Sequence, residues 1–112
     1  GTGTSQNDKT ECAALKNVFK DRLKSIPCSS IKSMIGHAMG AASAFEAIVC
    51  ALVLDRQAVP PTINFDVHDE ECPVDCVPNV FRKVDSRVVL NNSCAFGGNN
   101  AALILRVANN HE

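Results

Sequence analysis

The chain has 112 residues, of which 46% are hydrophobic and 21% charged, so it holds at most one core and lies outside the composition of disordered chains. Eleven Lys and Arg against twelve Asp and Glu give a formal charge of -1, and with no Trp or Tyr the chain offers neither a basic field nor stacking platforms for nucleic acid. Six cysteines are too sparse for a disulfide scaffold, and an opening with no basic start or apolar run does not read as a signal peptide, so a reducing, cytoplasmic setting is expected.

From Asn7 to about Leu23, Cys12, Leu15, Val18, Phe19 and Leu23 recur at helical spacing, with Asn7 or Asp8 as a cap and Glu11 in the first turn. Pro27 breaks this pattern, and Cys28 to Ile35 reads as a short strand or extended segment leading to Gly36. Ala38 to Leu54 carries one charge, Glu46. At seventeen residues it is too short to cross a bilayer, and it reads instead as a helix buried in a layered domain. Pro60-Pro61 ends that region, and Thr62 to Pro78 is irregular, with His68, Asp69, Glu70 and Glu71 in a polar loop. Arg87 to Ala95 and Ala101 to Val107, rich in Val, Leu and Ile, read as two strands joined by the turn Gly97-Gly98-Asn99-Asn100. The order implies an α/β layer arrangement. Cys12, Cys50 and Cys94 fall inside these elements and are expected to behave as small core hydrophobes.

His68, Cys72 and Cys76 recur every four residues, but a closed zinc site needs a fourth ligand, and no metal is expected. His37 falls at the start of the apolar helix, where the macrodipole favours a neutral imidazole able to donate one N–H to a carbonyl or enolate oxygen; a structural cap is the competing role. Glu46, nine residues on, falls on the opposite side of that helix, about 13 Å along it. A carboxylate on so apolar a helix calls for a counter-charge, and Lys32 is the nearest candidate.

Four segments in order, GTGTSQNDKTE, IKSMIGHAMGAASAFEAI, AVPPTIN and NNSCAFGGNNAALIL, resemble the C-terminal part of β-ketoacyl-acyl-carrier-protein synthases of the thiolase-like superfamily, and the likeness runs from Gly1 to about Val107. The resemblance implies an α/β, thiolase-like layered fold, with residues 1–112 forming most of its C-terminal half. It implies an acyltransferase that performs a decarboxylative Claisen condensation in fatty acid or polyketide synthesis. His37 then matches the second catalytic His, Lys32 the lysine that supports it, and Glu46 the glutamate linked to that lysine. Thr2 and Thr4 match the hydroxyls that hold the phosphopantetheine arm, and Phe96 the gating residue whose backbone N–H helps form the oxyanion hole. The arm arrives on the carrier protein, so no cofactor of the chain's own is implied.

The family's nucleophilic Cys and first His belong to segments before Gly1, so the chain is expected to be inactive alone. Cys94 stands where an aromatic residue is common, in a strand pattern without a base, and does not read as a replacement nucleophile. The implied partners are the acyl carrier protein, the missing N-terminal half, and a second ketosynthase subunit in a homodimer or heterodimer, with no nucleic acid and no membrane. A non-catalytic partner of the chain-length-factor type is the alternative.

Overall fold

The computed structural model describes residues 1–108, which divide into two compact units. The first comprises Gly1–His37 and Val59–Arg82, the second Ala38–Ala58 and the chain from Lys83 onward.

The first unit opens with helix α1, Ser5–Phe19. Its half-buried and buried positions Asp8, Cys12, Leu15 and Phe19 recur every three or four residues, the inner stripe of an amphipathic helix. Val18 is exposed and lies off that stripe, contrary to the expectation for it. Thr4 occupies the N-cap position without a side-chain cap. Asp8 does not cap: its carboxylate accepts the backbone N–H groups of Thr2 and Gly3 instead. Lys20, at φ 50°, ends α1, and a 3-10 turn over Lys20–Ser25 buries Leu23.

Cys28 to Ile35 is not a strand. Only Pro27 pairs, in a parallel bridge to Asp75, and Lys32–Ile35 forms the single turn of helix α2. The Ser30 carbonyl accepts the N–H and Oγ–H of Ser33, and the Ile31 carbonyl accepts from Met34 and Ile35, so local turn bonds win over ladder bonds. The residues after Pro60-Pro61 stay irregular as expected, pinned by Thr62 N–H to Val77 O at 2.9 Å and Cys28 N–H to Asp75 O at 2.7 Å. Cys12, Leu23, Ile31, Val59 and Val77 are its buried apolar residues.

The second unit is built on helix α3, Ala42–Arg56, and an antiparallel pair, β3 (Val88–Cys94) and β4 (Asn100–Arg106), with Val88 opposite Arg106 and Cys94 opposite Asn100. The two-residue strands β1 (Ala58–Val59) and β2 (Arg82–Lys83) pair with each other. The long helix starts four residues later than its apolar run. Met39 is left-handed, at φ 49°, and a 3-10 turn over Met39–Ala41 intervenes. Val53 and the half-buried Glu46, Ala47, Cys50 and Leu54 form its inner face, while Phe45, Ile48 and Leu52 are exposed. Within this chain α3 is therefore covered on one side only, not on all sides as expected. Cys94 is likewise exposed, a correction to its expected core role, because strand alternation turns it away from α3 with Leu90.

Alternation sends Val89, Asn91 and Ser93 to the α3 side. There Asn91, 9% exposed, donates from Nδ2 to the Ser43 carbonyl at 3.1 Å. Gln57, left-handed at φ 52°, closes α3 by donating its N–H to Val53 O. Its amide then exchanges two hydrogen bonds with the backbone of Ser86, at 3.0 and 2.8 Å, holding the entry to β3. Among the described residues no helix is long and apolar enough to cross a membrane, and no group of three or more His, Cys, Asp or Glu is arranged to hold a metal.

Candidate active site

Thr2, Thr4, Lys32 and His37 belong to the first unit. The Oγ1 atoms of Thr2 and Thr4 are 2.9 Å apart, so the opening strap offers two hydroxyls on one side. Asp8 fixes the strap by accepting Thr2 N–H at 2.9 Å and Gly3 N–H at 3.1 Å, so the carboxylate supports backbone rather than ligand. Ser30 ties the strap to the next segment: its Oγ donates to the Gly1 carbonyl at 2.7 Å and its N–H donates to Thr62 Oγ1 at 3.0 Å. A Cβ on Gly1 would stand 2.5 Å from Ser30 Oγ, and this close approach requires glycine.

From Ser30 the chain enters α2, which begins at Lys32. Ser33 Oγ donates to Ser30 O at 2.8 Å and accepts Ile63 N–H at 2.9 Å, so the turn carrying Lys32 is held from both sides. Gly36 closes it at φ 75°, ψ -179°, donating its N–H to Lys32 O. This backbone region is essentially glycine-only, and it redirects the chain so that His37 leaves α2 exposed to solvent. His37 is not in the first turn of α3, which begins at Ala42. The helix-dipole argument for its protonation state, and the 13 Å helical separation from Glu46, therefore do not hold.

Glu46 and Phe96 belong to the second unit. Glu46 is half-buried on the inner face of α3, and Ser93 Oγ donates to its Oε2 at 3.4 Å. Phe96 opens a 3-10 turn, Phe96–Gly98, at the end of the β3–β4 hairpin and is 94% exposed. Gly97 and Gly98 both take positive φ there, 77° and 79°, letting the chain fold back from a side chain directed into open space.

Ser30, Ser33 and Thr62 carry no signal of their own in the sequence, and Asp8 reads there only as a helix cap. They hold backbone through contacts up to 32 residues away in the chain, and such pairing leaves no periodic signal.

The family model for the β-ketoacyl synthase C-terminal domain matches residues 1–66. The chain is 45% identical over 105 residues to the tetracenomycin polyketide synthase ketoacyl synthase alpha subunit of Streptomyces glaucescens, covering 94% of this chain and 25% of that protein. It is 42% identical, with the same coverage, to the 3-oxoacyl-[acyl-carrier-protein] synthase 2 of Coxiella burnetii. Among solved structures, the ishigamide ketosynthase/chain length factor superposes with a TM-score of 0.92 at 50% identity, over 97% of this chain and 27% of that one. The chain thus spans about a quarter of the length of the proteins it matches.

Proposed function

Because the chain belongs to the β-ketoacyl synthase family and has the thiolase-like fold of the ketosynthases, we propose that it is the C-terminal portion of a β-ketoacyl-acyl-carrier-protein synthase. The reaction is acyl transfer with carbon–carbon bond formation: a malonyl thioester loses carbon dioxide, and its enolate carbon attacks an acyl thioester and expels the sulfur. The difficult species is the enolate, whose negative charge builds on the thioester oxygen. A hydrogen-bond donor fixed at that oxygen stabilises the transition state more than the substrate.

His37 supplies that donor in this reading, and Lys32, five residues earlier on the same segment, contributes positive charge. Glu46 is a supporting carboxylate. Thr2 and Thr4 hold the phosphopantetheine arm, which carries both donor and acceptor thioesters on the acyl carrier protein, and the Phe96 backbone N–H serves the acyl thioester oxygen. Fatty acid and polyketide synthesis both use this chemistry, and a cytoplasmic enzyme acting as a homodimer or ketosynthase heterodimer fits it. The observation that carries the reading is the pair of Thr2 and Thr4 hydroxyls, 2.9 Å apart, on a strap that Ser30 ties to the segment bearing Lys32 and His37.

In the full-length protein, His37→Ala is expected to lower malonyl decarboxylation roughly 100- to 1000-fold while self-acylation by the acyl donor persists. Near-normal decarboxylation rejects the assignment. A chain-length-factor role, suggested by the likeness to a ketosynthase/chain length factor, predicts that neither step depends on His37.

A further inference from the structure

Thr62 follows Pro60-Pro61 in the irregular stretch of the first unit, and the chemistry above assigns it no part. Its backbone is tied on both sides: its N–H donates to Val77 O at 2.9 Å, its carbonyl accepts Asn79 N–H at 2.9 Å, and it pairs with Pro78 in a parallel bridge. Asn79 braces the same loop by exchanging two hydrogen bonds with the backbone of Phe65, at 3.1 and 2.7 Å. The Thr62 hydroxyl is therefore presented from a fixed frame, and its Oγ1 accepts the N–H of Ser30, 32 residues earlier, at 3.0 Å. Ser30 in turn donates its Oγ–H to the Gly1 carbonyl at 2.7 Å, one residue before Thr2. The turn that follows has its own support, because Ser33 Oγ accepts the backbone N–H of Ile63 at 2.9 Å.

We propose that Thr62 is a positioning residue for the condensation, acting through Ser30 to place the strap of Thr2 and Thr4 where the phosphopantetheine arm meets it; this rests on the reading of those two threonines given above. Thr62 touches no substrate in this role. Valine in its place has the same shape and keeps the backbone bonds, but it leaves the N–H of the half-buried Ser30 without its acceptor. Ser30 then shifts to find another partner and carries the Gly1 carbonyl with it. Arm binding weakens, whereas Lys32 and His37 stay in place, because Ser33 and Ile63 hold their turn independently of the Thr62 side chain. The mark of such a role is a loss confined to substrates that carry the arm. A residue that only stabilises the fold lowers the active fraction, and with it the turnover of every substrate alike.

The test uses the full-length protein and compares malonyl decarboxylation from two thioesters, one borne on the acyl carrier protein and one made with ethanethiol, which has no arm. Thr62→Val is expected to lower kcat/KM for the carrier-borne thioester roughly 10-fold, mainly through KM, and to leave the ethanethiol thioester unchanged. Thr62→Ser, which keeps the oxygen, is expected to match the wild type with both. Ser30→Ala removes the hydroxyl that holds Gly1 and should show the same selective loss, so it carries the comparison if Thr62→Val folds poorly. Adding Thr62→Val to Ser30→Ala should then cost little more, because the two act along one chain of contacts. Equal losses with both thioesters, a selective loss that Thr62→Ser shares, or additive effects in the double variant overturn the proposal. Replacing Thr2 and Thr4 together by Val separates it from the reading beneath. A selective loss there with none in Thr62→Val sinks the proposal alone, and no selective loss there sinks both.

Discussion

Asp75 shows how one carboxylate holds an unfavourable backbone. It accepts both terminal nitrogens of Arg82, Nη2 at 3.0 Å, and the N–H of Val77 at 3.2 Å. Val77 is β-branched, fully buried and left-handed at φ 51°, a conformation that costs roughly 1 to 3 kcal/mol unless its surroundings impose it. The Arg82 hydrogen bonds, helped by the Val77 N–H and opposed by desolvation, hold the Asp75 carboxyl below its ordinary value. A depressed folded pKa means that this stabilisation is present above about pH 4 and is lost as pH falls through the folded value. Both side chains are partly exposed, so solvent screens the pair and its contribution is small. In Arg82→Gln the Asp75 carboxyl should titrate closer to an unperturbed aspartate, as followed by carbon-13 NMR. An unchanged titration would show that Arg82 is not the cause. Cys28 has the opposite sign. Burial, with lesser effects from Asp75 and Cys76, raises its thiol to about 11, so its contribution is full below about pH 9 and is lost as pH rises toward 11.

Among the elements, the hinge between α2 and α3 decides where His37 goes. Gly36→Ala places a Cβ at φ 75°, ψ -179°, where no neighbouring atom clashes but the backbone itself resists, so a loss of roughly 1 to 3 kcal/mol in denaturant unfolding is expected, together with weaker malonyl decarboxylation. Wild-type stability and activity in that variant would show that the segment relaxes freely. Gly36 was visible in the sequence, but its consequence was not. The apolar run from Ala38 argued for a helix beginning beside His37, and nothing in hydrophobic periodicity reveals that Met39 turns left-handed and delays α3 to Ala42. The β3–β4 hairpin was legible because Val, Leu and Ile cluster on both sides of two glycines. Cys28 to Ile35 was misread because its bonds run to nearby turn carbonyls and to Asp75, forty-seven residues beyond Cys28. The site residues became legible only through four ordered motifs, since two threonines beside glycine carry no chemical signal alone.

At the scale of the molecule, the second unit presents apolar side chains on both sides. One stripe of α3 exposes Phe45, Ile48 and Leu52, and the sheet face turned from α3 exposes Val88, Leu90 and Ile104, the last at 67%. A two-stranded sheet also leaves a free edge on each strand among the described residues. Isolated hydrophobic side chains on a surface are ordinary, but continuous stripes on two faces of one small unit mark surfaces that another part of a protein covers. The chain spans about a quarter of the length of its relatives, and the proposed reading leaves the nucleophilic Cys and the first His to other segments. Expressed alone, residues 1–112 are therefore expected to unfold at low temperature without a sharp transition, to bind a hydrophobic dye, and to take up no acyl group from an acyl-carrier thioester. A separately expressed N-terminal portion of the same protein, added in excess, should raise the unfolding temperature with concentration, because it binds only the folded form. Scanning calorimetry across a concentration series, with mass spectrometry after incubation with the acyl donor, reads both parts. A cooperative, concentration-independent transition of the chain alone would refute the first, and a stable acyl adduct on Cys94, the exposed cysteine beside the Phe96 turn, would refute the second.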